Sequence, residues 1–141
     1  TVAVIEDGVY TGEQTLTDGD ITLQSADAAR VVVGLRYTGE LQMMFPTWDA
    51  SNKPAYGADT ARIISVKPFL INSWTYKLGV KDKFEVVRVS STYGNGGGFT
   101  GFDKERPVAG STFGVENVPT IKHEEPYPLT IASLTTKTDL N

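Results

Sequence analysis

Apolar residues in this chain recur at every second position in short runs, and glycine-bearing turns separate one run from the next. That period belongs to the β-strand, whose side chains alternate between two faces, and it leaves little room for helix. "SADAAR" (Ser25 to Arg30), with Ser25 as the candidate cap, is one helical turn at most. "VAVIE" meets Asp7-Gly8, and "VYTGEQTL" meets Asp18-Gly19 before "DITLQ". Asp-Gly between alternating runs is a strong hairpin signal, because both residues tolerate the positive φ of a type I′ turn. The first 24 residues therefore read as a three-stranded meander.

"VVVGLRYTGELQMMF", residues 31 to 45, is the longest patterned stretch. Val31, Val33, Leu35, Tyr37, Leu41, Met43 and Phe45 share one parity and predict a core face, broken only by Gly39. A single strand of that length would extend about 50 Å, beyond the usual strand, so Gly34 and Gly39 are expected to be bulges or bends. The expectation is scaffold.

A long loop follows, "PTWDASNKPAYGADT", and loops of that length in a compact domain tend to make contacts. "ARIISVKPFLI" resumes the sheet, and Pro68, which cannot donate to a ladder, predicts an edge or a bulge there. "WTYKLGV" places Trp74, Tyr76, Leu78 and Val80 on one face, and "FEVVRVS" is the next strand. Gly94 to Gly101 hold five glycines in eight residues, which predicts a mobile loop without regular structure. A proline-bracketed turn and a Thr-rich strand close the chain. The expected fold is all-β: one domain over residues 1–141, a sandwich or barrel of about eight to ten short antiparallel strands with little or no helix. Beginning at Thr1 already in strand pattern, the chain reads as an excerpt of a longer protein.

The residues exclude much chemistry. With no cysteine and one histidine, His123, there is no thiolate or multi-histidine metal site, and no cofactor is implied. Thirteen Lys and Arg against 17 Asp and Glu is the wrong balance for avid nucleic-acid binding, and no apolar run reaches membrane-span length. The glycine-rich loop lacks the Lys-Ser/Thr and the helix of a phosphate loop, since Gly101 is followed by Phe102-Asp103-Lys104-Glu105. Glu6-Asp7 and Glu124-Glu125 are sequence neighbours at turns and read as solvated charges, and His123 reads as polar surface with no Gly-x-Ser-x-Gly elbow to serve. An enzyme is not expected. Trp74 and Tyr76 read as core, whereas the loop aromatics Trp48, Phe99 and Phe102 are the candidate contact residues, for protein or for a sugar face.

Three stretches, in order, resemble the C-terminal part of the tail tubular, or nozzle, family of structural proteins of short-tailed phages. In the first, Asp7-Gly8 and Val33-Gly34-Leu35-Tyr37-Thr38 match an apolar-Asp-Gly opening followed by V-x-V-G-L-x-Y-T/S. In the second, Arg62-Ile63, Val66, Ser73 and Gly79 match, while Pro68 intrudes and a second arginine is absent. In the third, Pro126, Pro128-Leu129-Thr130 and Leu134 match a Pro-bracketed closing strand. The resemblance implies a virion tail component that forms a hexameric ring with copies of itself and meets other tail proteins, adaptor and fibres. It implies a conduit for ejected DNA, which passes without sequence-specific binding. The alternative is a carbohydrate- or receptor-binding β-sandwich module.

Overall fold

The computed structural model describes residues 1–44, 61–90, 97–114 and 117–140. The long loop with Trp48 and the start of the glycine-rich segment, residues 91–96, lie outside the described residues. Eleven strands, all paired antiparallel, form three sheets with no helix among the described residues. They are β1 (Val2–Glu6), β2 (Val9–Gln14), β3 (Val31–Gly34), β4 (Gly39–Gln42), β5 (Ala61–Ser73) and β6 (Thr75–Val80). β7 (Lys83–Arg88), β8 (Phe99–Phe102), β9 (Arg106–Pro107), β10 (Thr120–His123) and β11 (Thr130–Leu140) complete the set. The sheet orders are β2-β1-β3, β4-β10-β6-β7 and β11-β5-β8, with β9 also on β5. The all-β expectation holds, as a sandwich of the second and third sheets that carries the small first sheet.

β5 organises the sandwich. Its inward residues are Ile63, Val66 and Leu70, and the change of parity after Ile63 has a local cause. Opposite β11, Lys137 pairs Ser65 while Thr138 pairs Ile63, so Ile64 is an extra residue. Such a bulge flips the faces of everything beyond it. Tyr76, Leu78 and Val80 of β6, Val87 of β7, Ile121 of β10 and Val108 meet the β5 residues in one cluster. Burying each Val or Leu fully contributes about 1.5–3 kcal/mol.

Pro68 lies inside this sheet rather than on its edge. Its carbonyl accepts from the Asp103 amide, so its missing N–H faces the same way, into the gap where β8 ends and β9 has not begun. The predicted mobile loop is likewise corrected at its end, for Phe99–Phe102 is a strand paired with β5. Glycine content lowers strand propensity, but a long-range partner overrides it.

The Asp-Gly turns are as expected. Asp7 and Gly8 have φ of 49° and 84°, and Asp18 and Gly19 have 53° and 92°. The third meander strand is not formed, and residues 21–24 instead run beside β2 through side-chain bonds. Gln24 Nε2 donates to the Thr11 carbonyl (2.9 Å), and the Thr22 amide donates to Gln14 Oε1 (3.1 Å). Nor is Glu6 a solvated charge: it is 4% exposed, and its carboxylate accepts from the Gln24 and Ser25 amides at 2.8 and 2.7 Å. Asp7 does the same for Ala29 and Arg30, pinning residues 24–30 over one face of the small sheet.

A polar lock holds the β8–β9 break. Buried Asp103 accepts from the Tyr76 hydroxyl (2.9 Å) and from both Arg106 Nε (2.9 Å) and Nη2 (2.8 Å). Burial alone would raise the Asp103 carboxyl, but the bonds from Arg106, the Lys104 amide and Tyr76 outweigh it and hold it below its ordinary value. A carboxyl depressed in the folded state adds stability above its unfolded value, about 3.9, and loses it as pH falls through the folded value. Asp103→Asn is therefore expected to cost about 2 kcal/mol at neutral pH, and the difference from wild type should shrink in urea titrations at about pH 3.

Candidate functional site

The stretch from Val31 to Phe45, predicted as a long strand with a core face and bulges or bends at Gly34 and Gly39, is two strands in two sheets. The strands end and begin at those glycines, and most of the described part, Val31 to Met44, is uncovered. β3 ends at Gly34, residues 35–38 cross from the small sheet to the sandwich, and β4 begins at Gly39. Val31, Val32, Val33 and Leu41 are exposed, as is Tyr37; Leu35 is 82% and Met44 90% exposed. Only Met43 packs partly on the core. The alternation was real, but no layer of this chain covers it among the described residues.

Arg36 fixes the crossing. Its Nη1 donates to Glu13 on β2 (2.6 Å) and its Nε to the Glu124 carbonyl (2.8 Å). Glu124 also pairs with Lys77, whose ammonium holds its carboxyl below the ordinary value. These groups stand at the surface and set position more than stability.

Beside β3, before the crossing, lies a groove of about 830 Å³ lined by Ile5, Val32, Trp74, Pro126, Tyr127 and Pro128, with Asp7 and Arg30 as its charged members. A smaller pocket of about 320 Å³ continues along Ala3, Gly34, Leu35 and Tyr37. Trp74 occupies the single residue between β5 and β6, where the chain leaves one layer of the sandwich for the other. That corner leaves Trp74 only partly buried, stacked on Tyr127 at 6.4 Å with the rings 22° apart. The expectation that Trp74 is core is thus half met. The buried Tyr127 ring also carries the hydroxyl that accepts from the Tyr10 amide at 2.6 Å, so one residue joins the small sheet to the sandwich.

The second apolar surface lies on the outer face of the β5 sheet. Phe102 is 57% exposed, edge-on to Phe69 at 4.8 Å, with the Lys67 ammonium 5.4 Å from its ring centroid. Ile71 is exposed beside it on β5. Phe99 is placed differently, partly buried against the core cluster. Of the candidate contact residues, Phe102 presents its ring to solvent, Phe99 turns inward, and Trp48 lies outside the described residues.

His123 was read as polar surface and is instead 7% exposed, beneath Tyr37 at 5.9 Å between ring centroids. Its buried Nε2 makes no hydrogen bond. No group of three or more His, Asp or Glu among the described residues could hold a metal ion, and no helix there is long and apolar enough to cross a membrane. Compared with protein-family models and with curated protein sequences, the chain matches neither a family model nor a curated protein.

The Tyr127 junction makes a direct prediction. Tyr127→Phe removes the acceptor of the Tyr10 amide while keeping the stacked ring, and should cost about 1–2 kcal/mol. Tyr127→Ala also removes the ring, and should cost about 3–5 kcal/mol in urea unfolding followed by circular dichroism.

Proposed function

We propose that this chain is a non-enzymatic structural module of a short-tailed phage tail, part of the tube or nozzle that conducts DNA at ejection. One observation carries the reading: the matched residues Val33-Gly34-Leu35-Tyr37-Thr38 lie in the uncovered apolar stretch from Val31 to Met44. A monomer gains nothing by exposing Leu35, Tyr37 and Met44, and uncovered apolar surface marks contact with another molecule. The exposed Phe102 face is a second such surface, and a head-to-tail ring needs two different patches on each subunit. The formal charge of −4 suits a wall that DNA passes without being held by counterion release.

The Trp74–Tyr127 stack in its groove favours a second reading, a receptor or polysaccharide module, because aromatic rings in a groove offer faces for sugars. Mass spectrometry of purified virions from the source phage separates the two. The chain should be present in a fixed ratio to the other tail proteins, and a glycan array probed with the isolated chain should be blank. Absence from virions would contradict the tail reading, and array binding lost in Trp74→Ala would establish the second.

A further inference from the structure

We propose that β3 is a pairing edge for a second copy of this chain, joining two small sheets antiparallel into one six-stranded sheet of order β2-β1-β3-β3-β1-β2. Strand edges offer unpaired N–H and C=O groups, and proteins guard them with charges, proline, bulges or cover. The other edges show such guards. β2 is bulged opposite Val4/Ile5 and flanked by Gln24, whose amide bonds the Thr11 carbonyl. β4 carries Glu40, and β7 carries Lys83, Glu85 and Arg88. β11 carries Lys137 and Asp139 and two register shifts, and β8 has a register shift and Gly101 at φ 141°. β3 reads Val-Val-Val-Gly, pairs β1 without a bulge, and is exposed at all four residues.

The direction of its free groups follows from one bond. The Asp7 amide donates to the Arg30 carbonyl, so Arg30, Val32 and Gly34 point toward β1. Val31 and Val33 therefore point their N–H and C=O outward, with no strand on that side among the described residues.

Self-pairing satisfies these groups in one register. Setting Val31 opposite Val33 of the second copy, and Val33 opposite its Val31, uses both outward residues and makes two hydrogen-bonded pairs. The two Val32 side chains then meet across the dyad in the closer, non-hydrogen-bonded geometry, and the grooves they line become continuous. Arg30 falls opposite Gly34, and Arg36 opposite Ala28. Sliding the pair toward a Val33–Val33 centre sets Arg30 opposite Arg36 twice, a like-charge cost. Sliding it the other way leaves one strand pair, at Val31. Charge and hydrogen bonding select the same register.

This contact is two-fold and closes at two copies, so it is separable from any ring contact and does not rest on the tail reading. Its area is small, since one four-residue strand falls well short of the roughly 1,000 Å² of a stable interface, and association belongs in the millimolar range.

The experiment is dilution of the isotope-labelled chain from millimolar concentration, followed by amide NMR and sedimentation equilibrium. The Val31 and Val33 amides are expected to shift with concentration. Val32→Lys sets two ammonium groups opposite each other, and Val32→Glu two carboxylates, so each variant alone should lose association by about tenfold or more. Mixed together, they should associate again. Val33→Pro removes only an outward N–H and should also abolish pairing; should it fail to fold, the Val32 pair carries the test. Absence of concentration dependence, failure of the mixture to recover, or equal loss in Phe102→Ser would overturn the proposal. Virions that contain a chain failing this test would keep the tail reading and remove only the edge pairing.

Discussion

Burial of the inner face of β5 against β6 is the constraint on which the rest of the molecule depends. Ile63, Val66 and Leu70 meet Tyr76, Leu78 and Val80 there, and the ladder between β5 and β11 spans most of both strands. Because the Ile64 bulge changes the parity of β5, the strand supplies core residues both before and after it, Ile63 and then Val66 and Leu70. The chain turns from one layer into the other at Trp74, and that corner sets the Trp74–Tyr127 stack. From the stack, the Tyr127 hydroxyl reaches Tyr10 and fixes the small sheet. Fold and groove are consequences of one packing event and one corner.

Polar groups play the complementary part. Glu6, Asp7 and Asp103 use their carboxylates on backbone amides or on buried Tyr76 and half-buried Arg106. Each closes a place where strand pairing stops: the cover of the small sheet, the end of the Asp7-Gly8 hairpin, the β8–β9 break. The outer face of the β6 sheet is a charged layer, with Lys122 on Phe84 and near Glu40, and Lys77 on Glu124. Against that solvated face, the uncovered residues from Val31 to Met44 and around Phe102 stand apart in chemistry. A building block has this division: surfaces meant for water are charged, and surfaces meant for a neighbour are apolar.

Much of the fold was legible because its causes are local. Asp7-Gly8 and Asp18-Gly19 turn the chain as their backbone tolerance dictates, and the parity of Tyr76, Leu78 and Val80 identifies a buried face. The misreadings share a different cause, since they depend on partners distant in sequence. Alternation in Val31 to Phe45 says that one face is apolar, not that this chain supplies its cover. Phe99–Phe102 becomes a strand because β5 is beside it, despite the glycines. Glu6 and His123 are buried because residues 24–25 and Tyr37 lie over them, and no pattern around either residue announces that. The groove was missed at Trp74, whose strand parity points inward while its place at the sheet-to-sheet corner turns it outward.

Oxidative footprinting at Met44 tests the central claim, that the uncovered stretch is made to be covered by a neighbour. Met44 is 90% exposed in the single chain, so peroxide should convert it rapidly to the sulfoxide in the isolated protein, ahead of the partly buried Met43. In the virion of the proposed function, fragment-resolved mass spectrometry should find Met44 protected. Equal rates of Met44 oxidation in the free chain and in the particle would contradict the account, leaving the stretch as surface that nothing covers.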